Sequence, residues 1–392
     1  MNFAIPFAAL FLSASLMFAC NWLALVPWRR SKDKHWSEQA RLSYPALVAA
    51  RANVFSFPAI SAILVVLIWP DSSPLWFYTG AASYLGALLG QVPAHREVFP
   101  RIRPRELLVQ LLANLLLRSP LWFALIMTTV FMPPEPNGAT LLLGIFLYIV
   151  VDLWVHFGSW MARKIGFIRP APERLRTIAE AASAKMGIKF REVSVIRSPM
   201  AQAFAIIGKR RLLFTERILD VLSDDELAAV CAHELAHLTE SRWIRASRSI
   251  QILTVWPWIF LKPAVHFCGV FGLLGLSLTT FFVPRIYRMI SHKMESRADQ
   301  MAQSTAVDTG AYASALARLY EDNLAPAVNA LARATHPHLY DRMLAAGVTP
   351  DFPRPAAPKR MAFHGHFFAS LVGLLFVFLM LHCGFFFHSP ES

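Results

Sequence analysis

Long apolar blocks alternate with short polar or basic segments along this chain. A bilayer core about 30 Å thick takes roughly 20 apolar residues in helix, and the blocks at about 3–28, 54–69, 75–92, 107–132 and 139–160 approach that length. The second is short at its start and is expected to reach back to Ala52. A last block covers about 367–387, and 250–283 is apolar apart from Lys262-Pro263. Two polar stretches remain, about 163–249 and 285–363, and there the periodicity changes. Glu173–Met186 reads as a helix closed by Gly187. Glu192–Ile196 and 203–207 are β-rich, and the turn Gly208-Lys209-Arg210 before 212–214 predicts a hairpin. Ser223-Asp224-Asp225-Glu226 is a capping box, from which a helix is expected to run to about Trp243. The pattern predicts a mainly α fold, a polytopic α-helical membrane protein with a small α+β domain.

Charge orients the blocks. Arg29, Arg30, Lys32, Lys34, Arg41 and Arg51 follow the first block, and Arg96, Arg101, Arg103 and Arg105 follow the third. The loops 70–74 and 133–138 contain no Lys or Arg. Basic loops stay cytoplasmic, so the N-terminus is expected outside and everything after the fifth block inside. The same placement of Lys and Arg accounts for the net charge of +13 without a nucleic-acid partner; lipid headgroups are the expected neighbours. Composition agrees, with 56% apolar and 16% charged residues, against roughly 25% charged in soluble domains. Cys20, Cys231, Cys268 and Cys383 show no paired spacing, so no disulfide framework is expected. Cys20 lacks a preceding basic region, and the apolar run continues past it, which predicts a retained first helix rather than a cleaved signal.

His233-Glu234-Leu235-Ala236-His237 falls in the middle of the helix that starts at the capping box. Two histidines four apart share a helix face and can reach one ion, and Glu234 beside them can take a proton from a water that the metal activates. Chance alone supplies such a pattern in roughly one chain of this length in a hundred. A catalytic zinc takes three protein ligands, and Glu295, in Glu295-Ser296-Arg297-Ala298-Asp299, is the candidate third. Asp299 follows one turn later, where it could accept a hydrogen bond from a ligand histidine.

These residues resemble the integral-membrane zinc metallopeptidases typified by the CAAX prenyl protease and the heat-shock peptidase HtpX, gluzincins in which two His and a downstream Glu hold the metal. The resemblance covers roughly 165–345. It includes Gln202-Ala203-Phe204-Ala205, where the family usually has Asn in place of Gln202, and Thr335-His336-Pro337-His338-Leu339-Tyr340-Asp341-Arg342. It implies a zincin-type catalytic domain with one Zn2+ per chain, and contact of His336 and Arg342 with substrate or the developing oxyanion. The strand around Gln202–Ala205 either pairs with an extended substrate or is a covered sheet edge, and the sequence leaves both open.

If His237 and Glu295 meet at one ion, the stretch between them crosses the bilayer an even number of times. Since 250–283 is slightly short for two full spans, a compressed or re-entrant hairpin bending near 262–269 is expected. The expected division is therefore 1–162 as an N-terminal transmembrane region of about five spans, 163–249 with 285–364 as a cytosolic zinc peptidase domain, 250–284 as the hairpin, and 365–392 as a C-terminal span. Gln110, Asn114 and Arg118, with Asp152 and His156, could line a hydrated chamber or pair two helices. Gly86 and Gly90 fit a close helix contact. The function expected is a multi-pass endopeptidase, of a bacterial inner membrane, acting on membrane or membrane-proximal proteins. The alternative is a sensor metallopeptidase of the antirepressor type, although the loops facing outside are only a few residues long. Oligomeric state has no signature here.

Overall fold

A computed structural model describes residues 3–70, 74–103, 105–106, 109, 132–135, 137–241, 256–305, 310–331 and 336–382. In chain order the elements are α1 (Ala4–Ala24), α2 (Val26–Arg29), α3 (Trp36–Ile68), α4 (Leu75–Val98), α5 (Gly138–Lys164), β1 (Ile168–Pro170), α6 (Glu173–Met186), β2 (Glu192–Ile196), β3 (Ala203–Ile206), β4 (Arg211–Thr215), α7 (Glu216–Val221), α8 (Asp224–His237), α9 (Leu261–Thr305), α10 (Ala311–Asp322), α11 (Leu339–Ala345) and α12 (Phe363–His382). The fold is mainly α. Among the described residues Ala4–Ala24, Trp36–Ile68 and Pro257–Thr305 are long and apolar enough to cross a membrane, and Gly138–Leu147 and Phe363–Leu379 are shorter apolar stretches. The block at 107–132, with Gln110, Asn114 and Arg118, lies almost wholly outside the described residues, as do the side chains of Asp152 and His156. Cys383 also lies outside them.

Two compact units emerge, 1–111 with 355–392, and 112–354. In the first, α1 and α4 pack at the glycines singled out above. A Cβ at Gly86 would fall 2.1 Å from the Leu10 carbonyl oxygen, and one at Gly90 2.3 Å from that of Ala14. Ser13 and Ser83 hydroxyls bond at 2.6 Å, and Arg29 forks onto Glu97 at 2.8 and 2.7 Å. Contact positions advance together along both helices, so α1 and α4 run parallel.

The helix α3 departs from the sequence reading. It begins at Trp36, not near Ala52, capped by the His35 side chain accepting from the Ser37 N–H at 3.3 Å. Ser37, Ala40, Ser43, Ala46, Ala50 and Asn53 are buried at helical spacing. Small residues add little hydropathy, so the apolar count missed this stretch although its periodicity is regular. Against it the Ala362 N–H donates to the Pro45 carbonyl at 3.0 Å, and His364 Nδ1 meets the buried Asn53 amide at 2.9 Å.

The second unit holds the sheet, ordered β1-β2-β4-β3, with β2 and β4 parallel and the outer pairs antiparallel. The left-handed Gly187 closes α6, φ 66°, where a side chain would be strained. Val193 and Val195 of β2, Leu212 and Phe214 of β4, and Leu175 and Ala179 of α6 form one core with Leu227, Cys231 and Leu235 of α8. The capping box starts α8, with Ser223 Oγ accepting from the Glu226 N–H (3.4 Å) and Glu226 Oε2 from the Ser223 N–H (2.9 Å). The helix stops at His237 rather than continuing toward Trp243, because a turn follows in which the Thr239 hydroxyl donates back to the Ala236 carbonyl at 2.7 Å. Residues 242–255 lie outside the described residues.

The helix α9 contains a break at Gly269, φ 53° and ψ −135°, a conformation suited to glycine. The chain reverses there. The indole N–H of Trp258 donates to Thr280 Oγ1 at 2.7 Å, and a Cβ at Gly272 would lie 2.0 Å from the Ala264 carbonyl oxygen. Beside the bend, His266 Nε2 stands 3.9 Å from Glu135 Oε1, within the loop that carries no Lys or Arg. The return arm then runs unbroken to Thr305 and carries Glu295 and Asp299. Although the sequence boundary assigns α5 to the N-terminal region, it joins this second unit by packing on β1 and through the Arg163–Glu192 ion pair at 2.6 Å.

Candidate metal centre

Core packing presents the metal motif. Leu227, Cys231 and Leu235 turn one face of α8 into the core, which leaves His233, Glu234 and His237, all buried, on the side that meets α9. His233 Nε2 and His237 Nε2 lie 3.3 Å apart. Glu295 brings Oε2 within 3.4 Å of the first and Oε1 within 3.6 Å of the second. These three form a group whose ligand atoms lie within 4.8 Å of one another. Zinc with ligands at about 2.1 Å in a tetrahedron separates them by roughly 3.4 Å, so the donor spacing fits that ion.

The outer ring nitrogens decide whether the inner ones are free to bind. Glu240, buried, places Oε1 2.9 Å from His237 Nδ1. A carboxylate only accepts, so the proton of His237 sits on Nδ1 and the Nε2 lone pair faces Glu295. At His233 the outer nitrogen meets Tyr312. Its hydroxyl donates to Asp299 Oδ1 at 2.5 Å and accepts from Arg342 Nη2 at 2.7 Å. The remaining lone pair, 2.8 Å from His233 Nδ1, then accepts the Nδ1 proton. Asp299 Oδ1 adds its charge 3.1 Å from that nitrogen. This network assigns both tautomers alike, and two imine lone pairs and a carboxylate converge with no hydrogen among them. Such a set calls for a cation.

Electrostatics agrees. Burial alone would lower the His233 pKa, but the Asp299 and Glu295 carboxylates more than reverse this and raise it to about 9, so without a cation His233 takes up a second proton toward Glu295, and a metal ion bound there would take that proton's place. Burial pushes the Tyr312 hydroxyl well above its ordinary value, with Arg342 opposing and Asp299 adding, so it stays protonated and can donate. Burial, with the Glu234 charge adding, pushes the Cys231 thiol well up; it is a core residue and no ligand.

The other expected site residues fall as follows. Glu234 follows His233 on α8 and is buried. Asp299 stands behind His233, one turn after Glu295. His336, half exposed, brings Nδ1 to 2.9 Å from Glu295 Oε2, and Asn329 holds that segment by donating Nδ2–H to the His336 carbonyl and N–H to His338 Nδ1, both at 3.0 Å. Arg342, which the resemblance implies against substrate, is buried instead behind the histidines. Its Nε and Nη2 donate to Asp299 at 2.8 and 2.6 Å, because α11 packs on α10 and drives the guanidinium inward. Burial opposes its charge, but Tyr312 and Asp299 outweigh this and hold its pKa well above the ordinary value. Ala203, Phe204 and Ala205 lie in β3, the edge strand of the sheet, with Gln202 just before it. Glu240 and Tyr312 have no counterpart in the sequence reading. Glu240 was legible as a carboxylate three residues after His237; Tyr312 had no local signal.

Residues 170–347 match the model of peptidase family M48. Two relatives described as "Protease HtpX homolog" are similar to part of this chain. The one from Picrophilus torridus is 42% identical over 64 residues, which is 16% of this chain and 21% of the relative. The one from Thermoplasma acidophilum is 32% identical over 114 residues, 26% of this chain and 36% of the relative. The matched region thus spans about a fifth and about a third of these curated relatives. With the His-Glu-x-x-His helix, the Glu295 carboxylate and the matched segment in agreement, residues 170–347 are similar to peptidase family M48, a metallopeptidase family that uses zinc, and His233, His237 and Glu295 form a group that could bind it.

Proposed function

We propose that this chain is a membrane-embedded zinc endopeptidase that cleaves membrane or membrane-proximal proteins on the cytosolic side, with His233, His237 and Glu295 as the metal ligands. The observation that carries the reading is the convergence of three hydrogen-free acceptors at 3.3, 3.4 and 3.6 Å, with Glu234 beside them on the same helix. Zinc held there supplies the Lewis acidity that makes a water nucleophilic near neutral pH.

The protein's own groups do the rest. Glu234 accepts the proton of the attacking water and returns it to the leaving amine. His336, open to solvent on one side, donates to the oxygen that gains charge at the scissile carbonyl. Arg342 acts at one remove: by neutralising and fixing Asp299 it keeps His233 in the tautomer that binds metal. The outer edge of β3 pairs with an extended substrate backbone, which favours cleavage within a chain and loose side-chain preference.

Orientation rests on loop charge, with which the parallel course of α1 and α4 agrees. The bend at Gly269, close to Glu135 in an uncharged-by-cation loop, supports a hairpin reaching the outer face, so that both α8 and Glu295 return to the cytosolic side.

The test is metal analysis and casein cleavage on detergent-purified protein. Wild type and Glu234→Gln should both hold one zinc, and only wild type should cleave, with a loss of at least about 10²-fold in the variant. Equal activity would remove Glu234 from its role. Glu295→Gln should lower zinc occupancy, and full occupancy would mean a different third ligand.

A further inference from the structure

The edge strand β3 does not offer its whole length. It pairs with β4 through Gln202, Phe204 and Ile206; the Thr215 N–H, for example, donates to the Gln202 carbonyl at 2.9 Å. By alternation the peptide groups of Ala201, Ala203 and Ala205 point to the outer edge. The first of these is already taken. Asn323 Oδ1 accepts from the Ala201 N–H at 3.0 Å, and Asn323 Nδ2 donates to the Ala201 carbonyl at 2.7 Å. A single carboxamide thus satisfies donor and acceptor of one residue together, as a neighbouring strand would.

Asn323 is held firmly for this task. It is the C-cap of α10, and the helix closes with Leu324 N–H donating to Glu321 O at 3.0 Å and Ala325 N–H to Tyr320 O at 2.8 Å. Leu324 occupies the left-handed position, φ 47°, where glycine is usual. The adjacent Asp322 is gripped by Arg217, with Nη2 at 2.6 Å. The other end of α10 carries Tyr312 on His233, so one helix joins the metal centre to the strand edge.

We propose that Asn323 is a register stop: it occupies the Ala201 position of the edge and confines backbone pairing of a substrate to Ala203 and Ala205. This rests on the peptidase reading above and adds to it a specificity-determining residue. The substrate backbone leaves the sheet edge where the carboxamide begins, so residues added to a peptide beyond that point gain nothing in binding.

The experiment compares KM for a short cleavable peptide with KM for the same peptide lengthened at its amino or, in a second series, its carboxyl end. Wild type should show equal KM for short and long members on the blocked side. In Asn323→Ala the Ala201 peptide group is open, and two added backbone hydrogen bonds should make the short-to-long KM ratio rise about fivefold or more in one of the two series. N-methylation of the added residue that pairs with Ala201 should abolish that rise, which a loss of packing would not do. If Asn323→Ala does not fold, Asn323→Ser, too short to span to Ala201 but still polar at the helix end, should give the same split. A ratio that stays the same in the folded variant overturns the proposal while leaving the peptidase reading intact. A zinc-loaded wild type that cleaves neither peptide overturns the peptidase reading, and the register stop with it.

Discussion

At the scale of single residues, the centre depends on protons as much as on ligand atoms. Two imidazoles can face one another and a carboxylate only if each keeps its proton on the far nitrogen, and Glu240 and Tyr312 impose this. The two supports differ in kind. Glu240 sets a buried carboxylate directly on His237, whereas Tyr312 relays the Asp299–Arg342 pair to His233. Replacing Glu240 by Gln should leave the fold intact and weaken zinc binding about 10- to 100-fold, read by competition with a chromophoric chelator. Unchanged affinity would reduce Glu240 to a packing role. His233, Glu234 and His237 were legible as residues at fixed spacing in sequence, and Glu295 as a candidate third ligand downstream. Tyr312 was not, because it reaches the site from another helix.

Among elements, close approach of backbones matters most. The α1–α4 contact leaves no room for a Cβ at Gly86 or Gly90, since either would fall within 2.3 Å of a main-chain oxygen. Gly86→Val should therefore force the helices apart and lower stability in detergent by about 1–3 kcal/mol, seen as a fall in melting temperature, while Gly275→Ala, where a Cβ meets nothing within 4 Å, should be close to neutral. Four-residue glycine spacing suggested this contact, but only the neighbouring helix shows which glycines are used. The start of α3 shows the opposite case. Its first turns bury serines and alanines that a hydropathy count reads as loop, although their spacing of three and four was in the sequence throughout.

For the whole molecule, the decisive feature is the reversal at Gly269. It lets Glu295 return to the histidines and brings His266 to Glu135. If the loop holding Glu135 faces outside, the exposed Cys268 beside the bend should react with a membrane-impermeant maleimide on intact cells, in a variant whose other three cysteines are replaced. Labelling only after permeabilisation would invert the orientation or make the hairpin shallow. The buried Cys231, with its thiol pKa pushed up, should resist the same reagent until the protein unfolds.

The sequence by itself marked the apolar blocks, an expected orientation by charge and a candidate ligand set, because each rests on local patterns: about 20 apolar residues for a bilayer, four residues for one turn of helix. It also required the chain to turn back between the histidines and Glu295. The tertiary structure decided what local spacing does not encode. It set the buried Arg342 on Asp299, and it brought Tyr312 from another helix to the outer nitrogen of His233. It also set Asn323 across the first free peptide of β3. Burial makes these pairings: once a histidine, a carboxylate and a guanidinium are enclosed together, each must find a partner, and the packing of α9, α10 and α11 on α8 settles which.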